Sequence, residues 1–483
     1  EGMLYHCIAQ PDSGAYVDQV IVTLEGSLDL ERFVAAFRRV AARFDTLRTA
    51  FLWDGVDKPL QIVRDEVDYE VAIVDGRPGD AEARRRQLDE LVTTHRVQGF
   101  VLEEAPLLRL TLLRQGPAHT DLLLCFHHLI LDGWSARTLL QRALREYDGL
   151  PSRQPEYRYR DYVEWILGQD QEAARRFWRE QLHGFGAQNR LTSGTSASSK
   201  SAPHQQRSKR IPSTQSARLR EMARNHSLTL NTALLAAWSL VLNRYSGGDR
   251  DVVFGATVAG RDPRLVGIEQ AVGSFINTLP FRAQIDPSVP LADWCRQLQA
   301  AQSAQRDWEF TSLAEAQKCA DIPAGEPLFE SLFVFENYPT GNQQLGSVQA
   351  TRYEHHEYSN YPLALIVVPS DQLECLLVYD PGSFSSSTVE RMLGHLAWLI
   401  EQFAVQPDAP VEQLLRLPPI QCEQLATLGH AQSLSTNPEL EHASMTGWLS
   451  EAAATHADDI AVRAQGQSLT YRELDRRASD LAG

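Results

Sequence analysis

Asp121-Leu122-Leu123-Leu124-Cys125-Phe126-His127-His128-Leu129-Ile130-Leu131-Asp132-Gly133-Trp134-Ser135 is the stretch on which the reading of this chain turns. Residues 107–113 and 121–126 are apolar runs of strand length separated by Gly116-Pro117, and they read as paired strands around a turn. The second run ends in His127-His128. Asp132-Gly133 then permit a sharp turn, with Gly133 free to take a backbone conformation that other residues avoid. A helix is predicted to begin near Trp134 or Ser135 and to run to about Tyr147. A histidine at a strand end can project into a cleft, where its neutral ring accepts a proton or a hydrogen bond from an incoming amine, hydroxyl or thiol. A pair of hydrogen-bonded core histidines is the plainer alternative. Two histidines followed at this spacing by Asp-Gly favour the catalytic reading.

Outward from that segment, residues 16–24 read as a strand. Leu30, Phe33, Val34, Phe37, Val40 and Ala41 recur at helical spacing, with Ser27 or Asp29 as cap. Residues 170–182 carry another helical pattern, and residues 191–206, rich in Ser, Thr, Ala and Gln, read as a mobile loop. A second αβ region follows. Leu234, Leu235, Trp238, Val241, Leu242 and Tyr245 mark an apolar helix over 230–245, residues 251–258 a strand, and Gly260-Arg261-Asp262-Pro263 a turn. Residues 363–368 and 373–379 pair around Pro369-Ser370-Asp371, and Val389, Met392, Leu393, Leu396, Leu399, Ile400 and Phe403 mark an amphipathic helix over 386–404. Two successive regions mixing strands and helices predict a two-lobed α/β (α+β) architecture with a cleft between lobes, residues 1–172 and 173–432. Residues 433–443 read as a polar linker, and 444–483 as the start of a unit too short to complete a domain.

Composition narrows the function classes. The chain has 483 residues, 43% of them hydrophobic and 22% charged, as in a folded globular protein, and a formal net charge of −16. That balance argues against nucleic acid as the main partner, since phosphate binding needs a basic face. Arg84-Arg85-Arg86 covers less than a helical turn and reads as a solvated helix face. No run of about 18 apolar residues occurs, so no membrane span is expected. The opening Glu1-Gly2-Met3-Leu4-Tyr5-His6 lacks the features of a signal peptide and reads as the middle of an element cut from a longer protein. The six cysteines are widely spaced without CxxC pairs, which reads as buried free thiols in a reducing cytosol and not as a zinc site. The glycines between Gly255 and Gly260 lack a following Lys-Ser/Thr, so they do not make a phosphate loop. His355-His356-Glu357 is a weak metal candidate, because neighbouring residues on a strand point apart; it reads as a solvated polar patch.

His127-His128-x-x-x-Asp132-Gly133-Trp134-Ser135 resembles the signature of nonribosomal peptide synthetase condensation domains, members of a superfamily of acyltransferases that includes chloramphenicol acetyltransferase. Further segments resemble the family's other motifs in order. They are Glu1 to His6, Leu47-Arg48-Thr49-Ala50-Phe51, Tyr159-Arg160-Asp161-Tyr162-Val163-Glu164-Trp165, residues 272–282 (Val272-Gly273-Ser274-Phe275 through Phe281-Arg282), Ser312 to Gln317 and Pro327 to Leu332. The likeness spans residues 1 to about 430. The first motif is truncated, and Arg306-Asp307-Trp308-Glu309-Phe310 is an imperfect version of its motif. Ile460-Ala461-Val462 and Leu469-Thr470-Tyr471-Arg472-Glu473-Leu474-Asp475 are similar to the opening of an adenylation domain, the neighbour that normally follows.

The resemblance implies two chloramphenicol-acetyltransferase-like lobes in a V-shaped pseudo-dimer with a central tunnel. It implies amide formation between a thioester on an upstream donor carrier protein and the amine of an aminoacyl thioester on a downstream acceptor carrier. The 4'-phosphopantetheine arms would enter from opposite sides, and no bound cofactor or metal is implied. His128 would hydrogen-bond the acceptor amine and position it, take its proton, or stabilise charge in the tetrahedral intermediate. His127 would brace the loop, Gly133 would keep the turn close to the substrate arm, and Trp134 and Ser135 would support the site. Asp132 would be structural, paired with Arg282. A cytoplasmic location and a monomer are expected. Epimerisation domains share the His motif, whereas heterocyclisation domains replace the histidines with Asp. An ester-forming relative, or an inactive platform recruiting carrier proteins, is the remaining alternative.

Overall fold

The computed structural model describes residues 2–9, 16–76, 80–150, 157–186, 189–191, 204–323, 326–336, 343–345, 347–356, 361–418, 421–423, 445–464 and 467–482. Most of the loop expected at 191–206, all of the linker expected at 433–443, and Glu357 lie outside the described residues. Contacts divide the chain into two units, Glu1–Arg416 and Leu417–Gly483.

The first unit begins with α1 (Gly2–Ala9), β1 (Val17–Glu25), α2 (Leu30–Ala41), β2 (Thr49–Leu52), β3 (Leu60–Val63), β4 (Glu70–Asp75), α3 (Ala81–Gln98), β5 (Leu108–Gly116), β6 (His119–His127), α4 (Gly133–Tyr147), α5 (Tyr159–Leu167) and α6 (Gln171–Leu182). It continues with β7 (Gln205–Arg210), α7 (Ser213–Asn225), α8 (Leu230–Tyr245), β8 (Asp251–Val258), β9 (Asn277–Gln284), α9 (Leu291–Gln305), α10 (Leu313–Gln317), β10 (Ser331–Phe335), β11 (Gln343–Leu345), β12 (Val348–His356), β13 (Leu363–Val368), β14 (Glu374–Tyr379) and α11 (Ser386–Val405). These form two six-stranded mixed sheets, ordered β11-β12-β1-β6-β5-β4 and β7-β14-β13-β10-β8-β9, with a small β2–β3 pair beside them. This is the expected two-lobed α/β arrangement. The sheets do not follow the division expected at residue 172, because β11 and β12 return from the second half of the chain to extend the first sheet beyond β1.

The apolar run that ends in the paired histidines is a strand covered on both faces. β5 and β6 pair antiparallel, from Leu108 opposite Phe126 to Gly116 opposite His119. Leu122, Leu124 and Phe126 face α2 and α4 with Phe33, Phe37, Leu139 and Leu140, while Leu123 faces α3 with Ile21, Leu88 and Leu113. A strand buried on both sides loses polar alternation and reads as a continuous apolar stretch. Of the two caps expected for α2, Asp29 is the one used: its side chain accepts from Arg32 N.

The second sheet is also covered on both faces. Val252, Phe254, Phe281, Phe333, Leu365 and Leu377 pack with α7, α8, α9 and α11; Val253, Leu279, Leu332, Val334 and Ile366 pack on the other side with Trp178 and Leu182 of α6. Helix α8 is buried continuously from Thr232 to Asn243, so it lacks a polar face and reads as apolar all round.

The second unit contains α12 (Met445–Thr455), the antiparallel pair β15 (Ile460–Ala464) and β16 (Gln467–Thr470), and α13 (Tyr471–Ala482). Among the described residues, no helix is long and apolar enough to cross a membrane.

Trp238 is completely buried in α8. Trp238→Ala should cost about 3–5 kcal/mol by leaving a cavity, read as a lower denaturant midpoint. Leu167→Ala, at a position 76% exposed, should leave that midpoint in place.

Candidate active site

The loop between β6 and α4 is defined by backbone hydrogen bonds before its side chains act. His127 N donates to Leu107 O at 3.0 Å, and His128 N donates to Tyr16 O at 2.8 Å. Tyr16 itself holds a left-handed conformation with φ 64°, uncommon for a residue with a side chain. His128 Nδ1 lies 2.8 Å from Leu131 O. A carbonyl only accepts, so Nδ1 carries the proton and, in the neutral ring, Nε2 carries the lone pair. His127 is oriented differently: its Nδ1 accepts from Leu129 N at 3.2 Å, and its Nε2 lies 3.5 Å from Cys7 Sγ. Burial first, and then the neighbouring His128, lower the His127 pKa to about 4, against an opposing pull from Asp18.

Asp132 joins this loop to the second half of the chain. Its carboxylate is fully buried. Oδ1 accepts from Ser135 N at 2.7 Å, capping α4, and Oδ2 accepts from Phe275 N at 3.0 Å. Arg261 Nη2 stands 3.4 Å from both oxygens and donates to Ser135 Oγ at 2.6 Å. Its guanidinium also donates to Ile268 O and Ala271 O and lies over the Phe275 ring, 4.2 Å from the centroid. Trp134 Nε1 donates to Glu269 O at 3.0 Å, and Gly273 N donates to Ser135 Oγ at 3.1 Å. Gly133 is the first residue of α4, so it takes a helical conformation and not the unusual one expected for it. The left-handed glycine is Gly260, with φ +62°; a Cβ there would meet Phe275 O at 1.8 Å.

Segments far apart in the sequence meet at this loop. Tyr159 OH donates to Ser274 O at 2.7 Å, and Tyr162 packs on Phe275 with ring centroids 4.9 Å apart. Thr46 Oγ1 donates to Val272 O at 3.0 Å, and Asn277 Nδ2 donates to Glu309 O and Thr311 O.

Behind His128 stands a cluster of buried charge. Asp18 Oδ2 is 3.8 Å from His128 Nε2 and 3.5 Å from His355 Nε2; His355 Nδ1 is 3.4 Å from Glu336 Oε1. Burial tends to raise the Asp18 pKa, but His128, His355 and His127 outweigh it and hold it below the usual carboxylate value. Burial likewise works against charge on His355, and the carboxylates of Asp18 and Glu336 on either side outweigh it and raise its pKa well above the ordinary imidazole value. Among the described residues, no group of three or more His, Cys, Asp or Glu is arranged to hold a metal ion.

The condensation-domain family model matches residues 1–426. The chain belongs to that family. Of curated proteins, one subunit of the linear gramicidin synthase of Brevibacillus parabrevis is 36% identical over 496 residues, covering 100% of this chain and 6% of that protein. A second subunit of the same synthase is 34% identical over 500 residues, covering 100% of this chain and 9% of that protein. The chain thus spans only a small part of the length of these relatives. Among solved structures, the first condensation domain of the calcium-dependent antibiotic synthetase, in complex with a substrate analogue, superposes with a TM-score of 0.72 at 18% identity. That match covers 85% of this chain and 96% of that one. A four-domain nonribosomal peptide synthetase bound to AMP and glycine superposes with a TM-score of 0.75 at 18% identity, covering 100% of this chain and 38% of that one.

Two expectations for the condensation domain need correction. Arg282 does not pair with Asp132. It donates to both oxygens of Asp251, at 2.8 and 2.6 Å. The reason is strand geometry: Asn277 lies opposite Val258 at the end of β8–β9 nearest the His loop, and Arg282 is five residues along β9, about 3.3 Å per residue away. Arg261, just beyond the end of β8, occupies the position beside Asp132. The second correction concerns His355, which is not solvated but almost wholly buried between two carboxylates. His356, its neighbour on β12, points to the other face, as strand alternation requires.

Sequence pattern alone does not single out Arg261, Asp18 or Glu336. Arg261 lies inside a segment that reads only as a turn. Asp18 does leave a signal, a carboxylate within the otherwise apolar Val17 to Val22 apart from Gln19. Glu336 leaves none, since its role depends on where β12 returns.

Arg261→Ala, which strips a buried carboxylate of its cation, should destabilise the condensation domain by about 3–5 kcal/mol. Arg282→Ala, in a more exposed pair, should cost clearly less; thermal denaturation of both variants checks the order. His127 supplies a pH effect. Its folded pKa of about 4 lies below the unfolded value of about 6.5, so between those values the unfolded chain binds the extra proton. Stability from this group is present above about pH 6.5 and is lost as pH falls toward 4, at up to about 1.4 kcal/mol per pH unit. Denaturant midpoints at pH 7 and 5 should therefore differ less in His127→Asn than in the parent.

Proposed function

We propose that this condensation domain forms an amide between a donor acyl or peptidyl thioester on an upstream carrier protein and the amine of an aminoacyl thioester on a downstream carrier. The observation that carries the reading is the His128 tautomer: the Leu131 carbonyl holds the proton on Nδ1 and leaves Nε2 to accept one. The acceptor nitrogen attacks the thioester carbonyl, His128 Nε2 takes a proton from that nitrogen, and the C–S bond breaks as the amide C–N bond is made. The departing thiolate regains a proton from His128. The α-amine has a pKa near 8, so a useful neutral fraction exists at neutral pH and strong base chemistry is unnecessary. Placing amine and carbonyl at attacking distance contributes at most about 7–11 kcal/mol. The two phosphopantetheine arms enter as parts of the substrates, in the cleft between the lobes that the family likeness implies. We read the second unit as the opening of an adenylation domain, supported by Leu469-Thr470-Tyr471-Arg472-Glu473-Leu474-Asp475 at the junction of β16 and α13 and by similarity to the four-domain synthetase over the whole chain.

The test is a transfer assay with donor peptide and acceptor amino acid loaded on separate carrier proteins and read by intact mass spectrometry. The parent chain should move the donor to the acceptor, and His128→Ala should lower the rate by about 10²–10⁴-fold with its thermal stability retained. Carrier binding without transfer by the parent, across several donors and acceptors, would favour a recruiting platform.

A further inference from the structure

The cluster behind His128 is unusual in what it leaves unsatisfied. Asp18 is fully buried, and neither of its oxygens has a hydrogen-bonding partner among the described residues. A carboxylate removed from water in this way would ordinarily take up a proton. The neighbouring groups prevent it. His355, opposite Val20 in the β1–β12 pairing, shares a sheet face with Asp18 two residues along and reaches it diagonally. Glu336, at the end of β10 in the second sheet, holds the other ring nitrogen of His355. His355 thus stands between two carboxyl groups, and the end of the cluster nearest the catalytic loop is Asp18.

We propose that Glu336, His355 and Asp18 form a buried relay that keeps a carboxylate beside Nε2 of His128, making Asp18 a positioning residue that stabilises the imidazolium formed when His128 takes the acceptor's proton. The inference rests on the amide-forming reading above. Asp18 Oδ2 stands at ion-pair distance, 3.8 Å, from Nε2, and as a hydrogen-bond acceptor it does not compete with the acceptor amine for the Nε2 lone pair. Once Nε2 is protonated, the ring carries charge between the Leu131 carbonyl and this carboxylate. The proton then leaves with the donor's thiol, and the relay returns unchanged. His127, Asp132 and Tyr353 do not supply this anion. His127 is held neutral by burial, Asp132 is matched by Arg261 on the helix side, and Arg137 lies over the Tyr353 ring, 5.8 Å from its centroid.

The test uses the whole chain, labelled with ¹⁵N-histidine, and follows ring nitrogens from pH 5 to 9. His355 is assigned by the signal lost in His355→Gln. His355 should keep both nitrogens protonated well above the pH at which an ordinary imidazole loses one, a readout that needs no activity. In Asp18→Asn, His128 should titrate about one pH unit or more lower than in the parent, as expected when an opposite charge at this range is removed. The acid limb of the single-turnover transfer profile should move in the same direction while the plateau falls about tenfold or more. In Glu336→Gln, the His355 titration should drop. A neutral His355 at pH 7 would overturn the relay. So would an Asp18→Asn protein that is slower by one factor at every pH with His128 titrating as in the parent. Absence of transfer by the parent would refute the amide-forming reading alone, since the ring titrations still decide the relay.

Discussion

The carboxylate of Asp132 is the constraint on which the rest of the site depends. It is excluded from water, and its two oxygens accept from the backbone of α4 and from the segment before β9, with a guanidinium beside them. A buried charge tolerates few arrangements: every donor must arrive together or the cost is several kcal/mol. Satisfying this one group therefore fixes where α4 starts, which carbonyl faces His128 Nδ1, and how the segment around Phe275 lies against the loop. The aromatic packing of Tyr159 and Tyr162 on Phe275, and the glycines that allow it, support that same junction.

Local pattern makes most elements legible. The α2 periodicity, the β5–β6 hairpin and the apolar α8 all depend on neighbours close in sequence or on simple burial, and their bounds lie within three residues of the expected ones. Within the site, His127, His128, Asp132, Trp134 and Ser135 announce themselves by spacing. The partners of those residues do not, because partnership is decided by long-range strand register. Arg282 and Arg261 are both arginines of the same region, and only the pairing of Val258 with Asn277 shows which stands at the correct end of the sheet. His355 escapes a local reading for a related reason: strand alternation separates it from His356, but does not show that its face is buried against β1.

The site also shows how one residue type acquires different states from its surroundings. His127, buried beside another imidazole, is held neutral; His355, equally buried, is flanked by carboxylates and held charged. Desolvation opposes charge on both rings, and the sign of the nearest neighbour decides the outcome. His128 has a carbonyl on one nitrogen and an anion within 4 Å of the other.

The return of β12 has a consequence for how the protein is made. When β1, β4, β5 and β6 have left the ribosome, the outer edge of β1 still presents unpaired backbone groups, and its natural cover lies far along the chain, at Val348–His356. An exposed strand edge of that kind is a template for pairing with other chains. Until β12 arrives that edge is open to such pairing, and the strand that seals it is also the one that delivers His355. Sealing the edge of β1 and bringing His355 to Asp18 are thus tasks of one strand.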